Sequence, residues 1–276
     1  MVSDPAERRL LDSVCDIARA AGSAILEVYG SNFTVSRKAD DSPLTEADRA
    51  AHAIIARELA ALDRSIPLLS EESAPEDHAT RRSWSRYWLV DPLDGTKEFV
   101  KRNGEFTVNV ALVVDGRAVL GAVYAPVLDR LYFGALALGA WRRDATASPH
   151  AIAVRKTAAS PLRVVGSRSH PSPELARYLA RLGPHEITDM GSSLKICLIA
   201  EGAADVYPRL GPTSEWDTAA AQAILESAGG RMIDLAGRPL RYNSKDDLLN
   251  PHFLAFGDQQ RDWLVPIQNS GRESRN

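Results

Sequence analysis

The sequence predicts an α+β protein, with an antiparallel sheet in its first half and a smaller α/β part in its second. Two amphipathic helix patterns open the chain, and a run of alternating strands follows them. Beyond these strands, further strands alternate with helices. A stretch rich in Ala, Ser, Thr and Pro at residues 144–160 separates the two patterns. We therefore predict two subdomains, residues 1–155 and residues 156–276.

The first half opens with a helix over residues 5–29, which Gly30 ends, and a short strand over 33–38. A second helix opens at Thr45, where Asp48 completes a capping-box pattern with Asp in place of Glu. Strand patterns follow, with an Asp-Gly hairpin signal between the third and the fourth. The predicted strands are 66–70, 87–90, 104–114, 117–125 and 130–135.

In the second half, strands are predicted at 162–166, 203–207, 231–234 and 252–256, and helices at 172–182, 191–200 and 214–228. Ser172 and Pro173 give the first of these helices an N-cap followed by proline at N1. Ser214 and Asp217 form another capping-box pattern. These boundaries place Asp217 in the first turn of a helix.

Composition excludes several classes of protein. Hydrophobic residues make up 45% of the 276 residues and charged residues 25%, as in globular domains, and a net charge of −3 argues against a nucleic-acid polymer as partner. Cys15 and Cys197 have no metal-binding spacing and suit a reducing compartment. We expect no signal peptide and no transmembrane segment. The expected protein is soluble and cytoplasmic, with peripheral association with the inner membrane left open, as is the choice between monomer and homodimer.

The most informative stretch follows the predicted strand at 87–90. Pro92 has no amide hydrogen and cannot continue a ladder, so we expect the strand to release Asp91 at its end. Asp94 and Gly95 form a turn pair, and Thr96 adds a hydroxyl. Two converging carboxylates repel each other unless a proton or a cation joins them, and oxygen ligands favour Mg²⁺. The alternative is an Asp-rich turn without a ligand.

Other acidic residues each have two interpretations. Glu71 and Glu72 follow a strand, either as a solvated loop or as ligands at the strand end. Asp48 and Asp217 are either helix caps or members of the same acidic cluster. Lys195 falls in the first turn of a helix, where the macrodipole disfavours a cation, so it either meets an anionic ligand or points to solvent.

Two stretches, Trp88–Thr96 and Glu215–Ala220, resemble the two signatures of the inositol monophosphatase superfamily of metal-dependent, lithium-sensitive phosphatases. The resemblance covers nearly the whole chain. Within the superfamily, the chain looks most like the bacterial CysQ-type 3′(2′),5′-bisphosphate nucleotidases. The stretches that carry this closer resemblance are 69–72, 94–109, 167–170, 191–195 and 207–212.

The resemblance implies an αβαβα layered fold and removal of the 3′-phosphate from adenosine 3′,5′-bisphosphate, a by-product of sulfate assimilation. It also implies two Mg²⁺ ions, which stabilise the attacking and leaving oxygens, and a third, weaker metal site. The ligands that it implies are Glu71, Asp91 and the carbonyl of Leu93 for one ion, Asp91, Asp94 and Asp217 for a second, and Glu72 for a third, weaker site.

For catalysis, the resemblance implies that Thr96, hydrogen-bonded to Asp48, orients and helps to deprotonate the attacking water, with Glu71 beside it. The amides of Gly95 and Thr96 would hold the phosphate. The nucleotide would also contact Lys195 and Arg209, which are candidates for the 5′-phosphate or ribose. The further candidates near the nucleotide are Ser167, His170 and Ser193.

Three other functions compete. An inositol monophosphatase or a fructose 1,6-bisphosphatase would share the metal site and differ around Lys195 and Arg209. A binding protein without turnover would not need the pair formed by Thr96 and Asp48. A haloacid-dehalogenase-type phosphatase needs a nucleophilic Asp two residues before Asp94, where this chain has Pro92.

Overall fold

The computed structural model describes residues 5–32, 35–37, 43–74, 76–167 and 173–268. Over these residues the helices are α1 (Pro5–Tyr29), α2 (Glu46–Leu62), α3 (His78–Arg81), α4 (Thr96–Val100), α5 (Pro173–Leu182), α6 (Leu194–Ala200), α7 (Ala219–Ser227) and α8 (Val265–Gln268). The strands are β1 (Val35–Arg37), β2 (Pro43–Thr45), β3 (Leu68–Ser70), β4 (Arg86–Asp94), β5 (Thr107–Val114), β6 (Arg117–Ala125), β7 (Arg130–Ala135), β8 (Gly139–Asp144), β9 (His150–Ala151), β10 (Leu162–Ser167), β11 (His185–Met190), β12 (Val206–Arg209), β13 (Arg231–Asp234) and β14 (Phe253–Phe256). None of these helices has both the length and the apolar character that crossing a membrane requires.

The strands form two large sheets, besides the antiparallel pair of β1 and β2. The first sheet has the order β3-β4-β5-β6-β7-β8-β9, in which β3 is parallel to β4 and the other neighbours are antiparallel. The second has the order β11-β10-β12-β14-β13. Here β10 is parallel to β11 and β12, whereas β14 is antiparallel to β12 and β13.

Helices and sheets stack in five layers. The apolar sides of α1 and α2 pack on one face of the first sheet, around Ile25, Ile55 and Val110. Helices α6 and α7 lie between the two sheets, and their buried side chains share one core with both. Helix α5 packs on the outer face of the second sheet, where Tyr178 joins the core beside Leu254. The α+β class and the αβαβα layering are therefore confirmed.

Helix α7 touches strand β6 at Gly121. A Cβ atom on Gly121 would lie 2.2 Å from the carbonyl oxygen of Ala220, so only glycine permits this approach. The facing turn of the helix consists of alanines, Ala219–Ala221, all buried. Asp217 lies just before this helix, so the close contact holds it against the first sheet.

Strand β4 corrects the expectation that Pro92 ends the strand at Asp91. The ladder with β5 pairs Asp91 with Asn109, shifts register, and resumes where Asp94 pairs with Thr107. The irregularity takes Pro92 out of the ladder, so its missing amide hydrogen costs no hydrogen bond. The strand consequently carries both aspartates.

Other boundaries also differ from the prediction. Helix α7 begins at Ala219 instead of Ser214, and β12 begins at Val206 instead of Ala203. Strands β2, β8, β9 and β11 were not predicted, because they are short or lack a sustained apolar alternation. Part of the strand predicted at 33–38 lies outside the described residues, as does Ser172. The subdomain division between residues 155 and 156 stays a prediction: β9 ends at Ala151 and β10 begins at Leu162, yet both sheets share the core around α6 and α7.

Candidate active site

Three carboxylates converge at the end of strand β4. Asp91 and Asp94 come from the strand, and Asp217 comes from the turn before α7. One carboxylate oxygen from each lies within 4.8 Å of the others. Asp91 is buried, and the other two are half-buried in the wall of a cavity of about 370 Å³, which Glu71 also lines. Of the six acidic residues that the sequence analysis singled out, the structure thus brings together Glu71, Asp91, Asp94 and Asp217. Asp48 lies next to Thr96 instead, and Glu72 does not line the cavity.

Glu71 reaches the cluster because β3 runs parallel to β4. Its amide donates to the carbonyl of Val90 at 3.2 Å, which sets its side chain beside Asp91. A side-chain hydrogen bond with Glu71 is one of the causes that raise the pKa of Asp91, after burial and the neighbouring charges. Two carboxylates can share such a bond only if one of them carries a proton.

Burial and nearby negative charges raise the pKa values of Asp91, Asp94 and Asp217. The pKa of Asp91 rises well above its usual value, because of burial first and then of the charges on Glu71, Asp94 and Asp217. Burial also raises the pKa of Asp94, although the positive charge of Lys195 opposes the rise. Burial and the charge of Asp94 raise the pKa of Asp217 to about 7. The cluster therefore needs protons or a cation, and this oxygen-only donor set fits Mg²⁺.

We expect the metal-free protein to lose stability as the pH rises from about 4 to about 7. In this window the folded state retains protons on Asp91, Asp94 and Asp217 that the unfolded state releases, so deprotonation favours unfolding. Glu215, whose pKa burial raises to about 7, adds to the decline. Carboxylates whose pKa is lowered by folding, such as Asp234, change the stability only at pH values below this range.

Thermal unfolding with a chelator present, measured across this range for the wild-type protein and Asp217→Asn, tests the expectation. The variant should show a shallower decline, because one of the proton-retaining groups is gone. Parallel pH profiles for the two proteins would contradict the expectation.

Asp48 is a helix cap that also lies close to Thr96. It completes the capping box of α2, since its Oδ2 accepts from the amide and the hydroxyl of Thr45 at 2.7 and 2.6 Å. Its Oδ1 lies 3.5 Å from the hydroxyl of Thr96, at the long limit of a hydrogen bond. The same hydroxyl lies 3.3 Å from the carbonyl of Leu93, so its one proton has two candidate acceptors. The cap therefore fixes Asp48 within reach of Thr96.

Gly95 shapes the floor of the cavity. It adopts φ +92°, a left-handed conformation that favours glycine, and it caps the short helix α4. Leu93, Gly95 and Thr96 all line the cavity beside the carboxylates. The turn therefore presents backbone groups as well as a hydroxyl to a ligand.

Lys195 lies inside the cavity wall, which rules out the solvent-pointing alternative. It is 7% exposed, and its Nζ donates to the carbonyl of Ser192 at 2.6 Å. Burial lowers its pKa to about 8, against the favourable charge of Asp94. Its Nζ also lies 5.7 Å from the centre of the Tyr207 ring, and Arg209 lines the cavity next to that ring. Two cationic side chains thus face the cavity from the second sheet and α6.

The remaining predicted site residues do not present a free side chain to the cavity or are not described there. Ser193 lines the cavity, but its amide donates to Oδ2 of Asp94 at 2.6 Å and its hydroxyl is buried. Glu72 is half-buried and does not contribute to the cavity wall. Ser167 ends β10 without a described side chain, and His170 lies outside the described residues.

Sequence reasoning missed Thr107 and Asn109, two fully buried polar residues of β5. The Nδ2 group of Asn109 donates to Oδ2 of Asp94 at 3.3 Å. A signal was present, because both residues lie on the strand face that is otherwise made of Ala111 and Val113. Polar side chains on a buried face need partners there.

Comparison with known proteins agrees with this geometry. The chain matches the family model described as inositol monophosphatase family over residues 7–264. It is 52% identical over 246 residues to the 3′(2′),5′-bisphosphate nucleotidase CysQ of Salmonella typhimurium, covering 88% of this chain and 98% of that protein. CysQ of Escherichia coli K12 is 51% identical with the same coverage. The crystal structure of CysQ from Bacteroides thetaiotaomicron has a TM-score of 0.80 at 43% identity, covering 92% of this chain and 98% of that one.

Proposed function

The chain belongs to the inositol monophosphatase family, and we infer that it is a 3′(2′),5′-bisphosphate nucleotidase that hydrolyses adenosine 3′,5′-bisphosphate to AMP and phosphate. The observation that carries this inference is 52% identity to a nucleotidase of that name along 98% of its length. The acidic cluster and the two cationic side chains in the same cavity, Lys195 and Arg209, suit a substrate with two phosphates. The nucleotide is a by-product of sulfate assimilation, where we place the reaction.

We propose that the acidic cluster holds divalent cations, Mg²⁺ foremost. Support comes from its oxygen-only donors and from the raised pKa values of its carboxyl groups. Cations bound there supply positive charge that neutralises the phosphate and the departing 3′-oxygen. The proposed ligands are Glu71, Asp91 and the Leu93 carbonyl for one ion, Asp91, Asp94 and Asp217 for a second, and Glu72 for a weaker third.

In the proposed reaction, water attacks phosphorus and the bond to the 3′-oxygen of the ribose breaks. Thr96 would accept a hydrogen bond from this water while its own hydroxyl donates to Asp48, which would draw the proton away. The 3.5 Å distance between Thr96 and Asp48 is compatible with this role, because catalytic hydrogen bonds are often long without substrate and tighten in the complex. The amides of Gly95 and Thr96 would hold phosphate oxygens beside Glu71.

We propose that Lys195 and Arg209 bind the 5′-phosphate or the ribose. Both line the cavity, and the macrodipole of α6 adds positive potential near Lys195. A buried cation forms stronger charge-assisted hydrogen bonds than a solvated one. Ser167 and His170 stay candidates from the sequence alone.

We further propose a cytoplasmic location, which two buried free cysteines suit. The proposed partner is the small-molecule substrate. Nothing in the described residues supports peripheral association with a membrane.

The substrate assignment is tested by phosphate release with Mg²⁺, comparing adenosine 3′,5′-bisphosphate, inositol 1-phosphate and fructose 1,6-bisphosphate at equal low concentration. We expect kcat/KM for the nucleotide to be higher by about a hundredfold or more, which is about 2.7 kcal/mol of transition-state discrimination. The expected reason is that inositol 1-phosphate has no second phosphate for Lys195, whereas fructose 1,6-bisphosphate carries its second phosphate on a sugar of different shape. Equal or better turnover of inositol 1-phosphate would overturn the substrate assignment.

A further inference from the structure

A buried polar cluster joins the first sheet to the start of helix α6. It consists of Thr107 and Asn109 on β5 and Ser193, the N-cap of α6, none of them more than 3% exposed. The Ser193 hydroxyl donates to Oδ1 of Asn109 at 2.8 Å, and the Thr107 hydroxyl lies 3.0 Å from the same oxygen. The two hydroxyl oxygens are 2.9 Å apart. The three side chains thus form hydrogen bonds with one another.

These contacts fix the orientation of the Asn109 amide group. With two hydroxyl groups at its oxygen, its Nδ2 group points to Oδ2 of Asp94, 3.3 Å away. The amide of Ser193 donates to that same Oδ2 at 2.6 Å. Asp94 therefore has one oxygen held from two sides, and neither of these bonds engages Oδ1.

The same turn also carries the proposed phosphate-binding lysine. Lys195 donates to the carbonyl of Ser192, and the amide of Gly191 donates to Oε2 of Glu105 at 2.8 Å. A Cβ atom on Gly191 would lie 2.6 Å from the carbonyl oxygen of Glu105, so the turn sits directly on the chain before β5. The turn that carries Lys195 is therefore anchored by contacts that do not involve Asn109.

We propose that Asn109 and Ser193 are positioning residues that orient Asp94 toward the cation site, and that Ser193 does not read the nucleotide. The proposal rests on the proposed function only in taking Asp94 as a metal ligand. Its direct consequence is that disrupting the cluster weakens cation binding while nucleotide binding is preserved. Replacing a residue that contacts the nucleotide would instead weaken nucleotide binding and leave cation binding unchanged.

The test uses Asn109→Leu, which keeps the number and branching of the side-chain heavy atoms and removes both polar ends. The Thr107 and Ser193 hydroxyls can still pair with each other in this variant, which limits the cost of burying them. We expect Mg²⁺ affinity of the substrate-free protein, measured by titration calorimetry, to fall about tenfold, the usual range for a residue that supports a metal ligand. The KM for the nucleotide at saturating Mg²⁺ should stay within about twofold, as expected for a residue outside the substrate site.

Ser193→Ala is the second variant and should move Mg²⁺ affinity in the same direction, by a smaller factor, because the Ser193 amide remains. Thr107→Ser, which keeps the hydroxyl, is the matched control and should bind Mg²⁺ like the wild type. Thermal unfolding with a chelator shows whether each variant is folded.

A raised KM with unchanged Mg²⁺ affinity in Ser193→Ala would overturn the proposal, as would unchanged Mg²⁺ affinity in a folded Asn109→Leu. The Mg²⁺ titration needs no substrate. A wild-type protein that binds Mg²⁺ but does not hydrolyse the nucleotide would therefore count against the proposed function alone.

Discussion

Replacing Asp91 by asparagine is expected to lower phosphate release at saturating Mg²⁺ by roughly a thousandfold or more. Asp91 is the most buried carboxylate of the cluster, and its pKa responds to the charges of Glu71, Asp94 and Asp217 together. It therefore occupies the centre of the proposed cation site. Asparagine keeps the shape but removes the negative charge that would bridge two cations. The measurement is kcat for adenosine 3′,5′-bisphosphate over a Mg²⁺ titration.

The same variant should be more stable than the wild type without metal. Burial of the charge and repulsion by the neighbouring carboxylates, which together raise the Asp91 pKa, destabilise the folded state near neutral pH, and asparagine removes both. Thermal unfolding with a chelator measures this, and Asp12→Asn, an exposed carboxylate paired with Arg8, serves as the control. Opposite changes in activity and stability distinguish a ligand from a structural residue. Activity near that of the wild type at saturating Mg²⁺ would remove Asp91 from the proposed role.

Local sequence was sufficient for features that depend on a few neighbouring residues. The capping box of Thr45 and Asp48 is confirmed, because it requires only backbone and side chains three positions apart. The strand before Asp91 was also found from its apolar run. Its end was wrong, because a register shift against β5 absorbs Pro92, and such a shift depends on the partner strand.

Features that depend on distant contacts could not be predicted. The start of α7 was placed five residues early, since Ser214 and Asp217 do form the expected bond at 2.9 Å but within a turn that precedes the helix. The sequence could not decide whether the Lys195 side chain points to solvent or into a site. A lysine in the first turn of a helix can do either, and the packing of α6 between two sheets decides it. The partners of Asn109 lie 15 and 84 positions away in sequence. Each of these outcomes depends on the layering of the whole chain.

Replacing Lys195 by alanine is expected to raise KM for adenosine 3′,5′-bisphosphate about a hundredfold, in the range found when one partner of a buried charge pair is removed. For adenosine 3′-monophosphate, which lacks the 5′-phosphate, KM should change by only about twofold, since little binding energy is lost. The physical reason is that Lys195 is 7% exposed, so the 5′-phosphate would meet a cation that water screens poorly. The measurement is a pair of KM values for each protein at saturating Mg²⁺.

Lys101→Ala is the control, because it removes the same charge from an exposed position at the end of α4. If both lysine variants changed KM equally, the effect would reflect net charge rather than a contact. If Lys195→Ala raised KM equally for both substrates, Lys195 would not read the 5′-phosphate. In that case the remaining role of Lys195 would be to balance the negative charge of Asp94, because its positive charge opposes the rise in the pKa of that carboxyl group. The substrate pair therefore distinguishes a lysine that selects the nucleotide from one that only balances charge beside the acidic cluster.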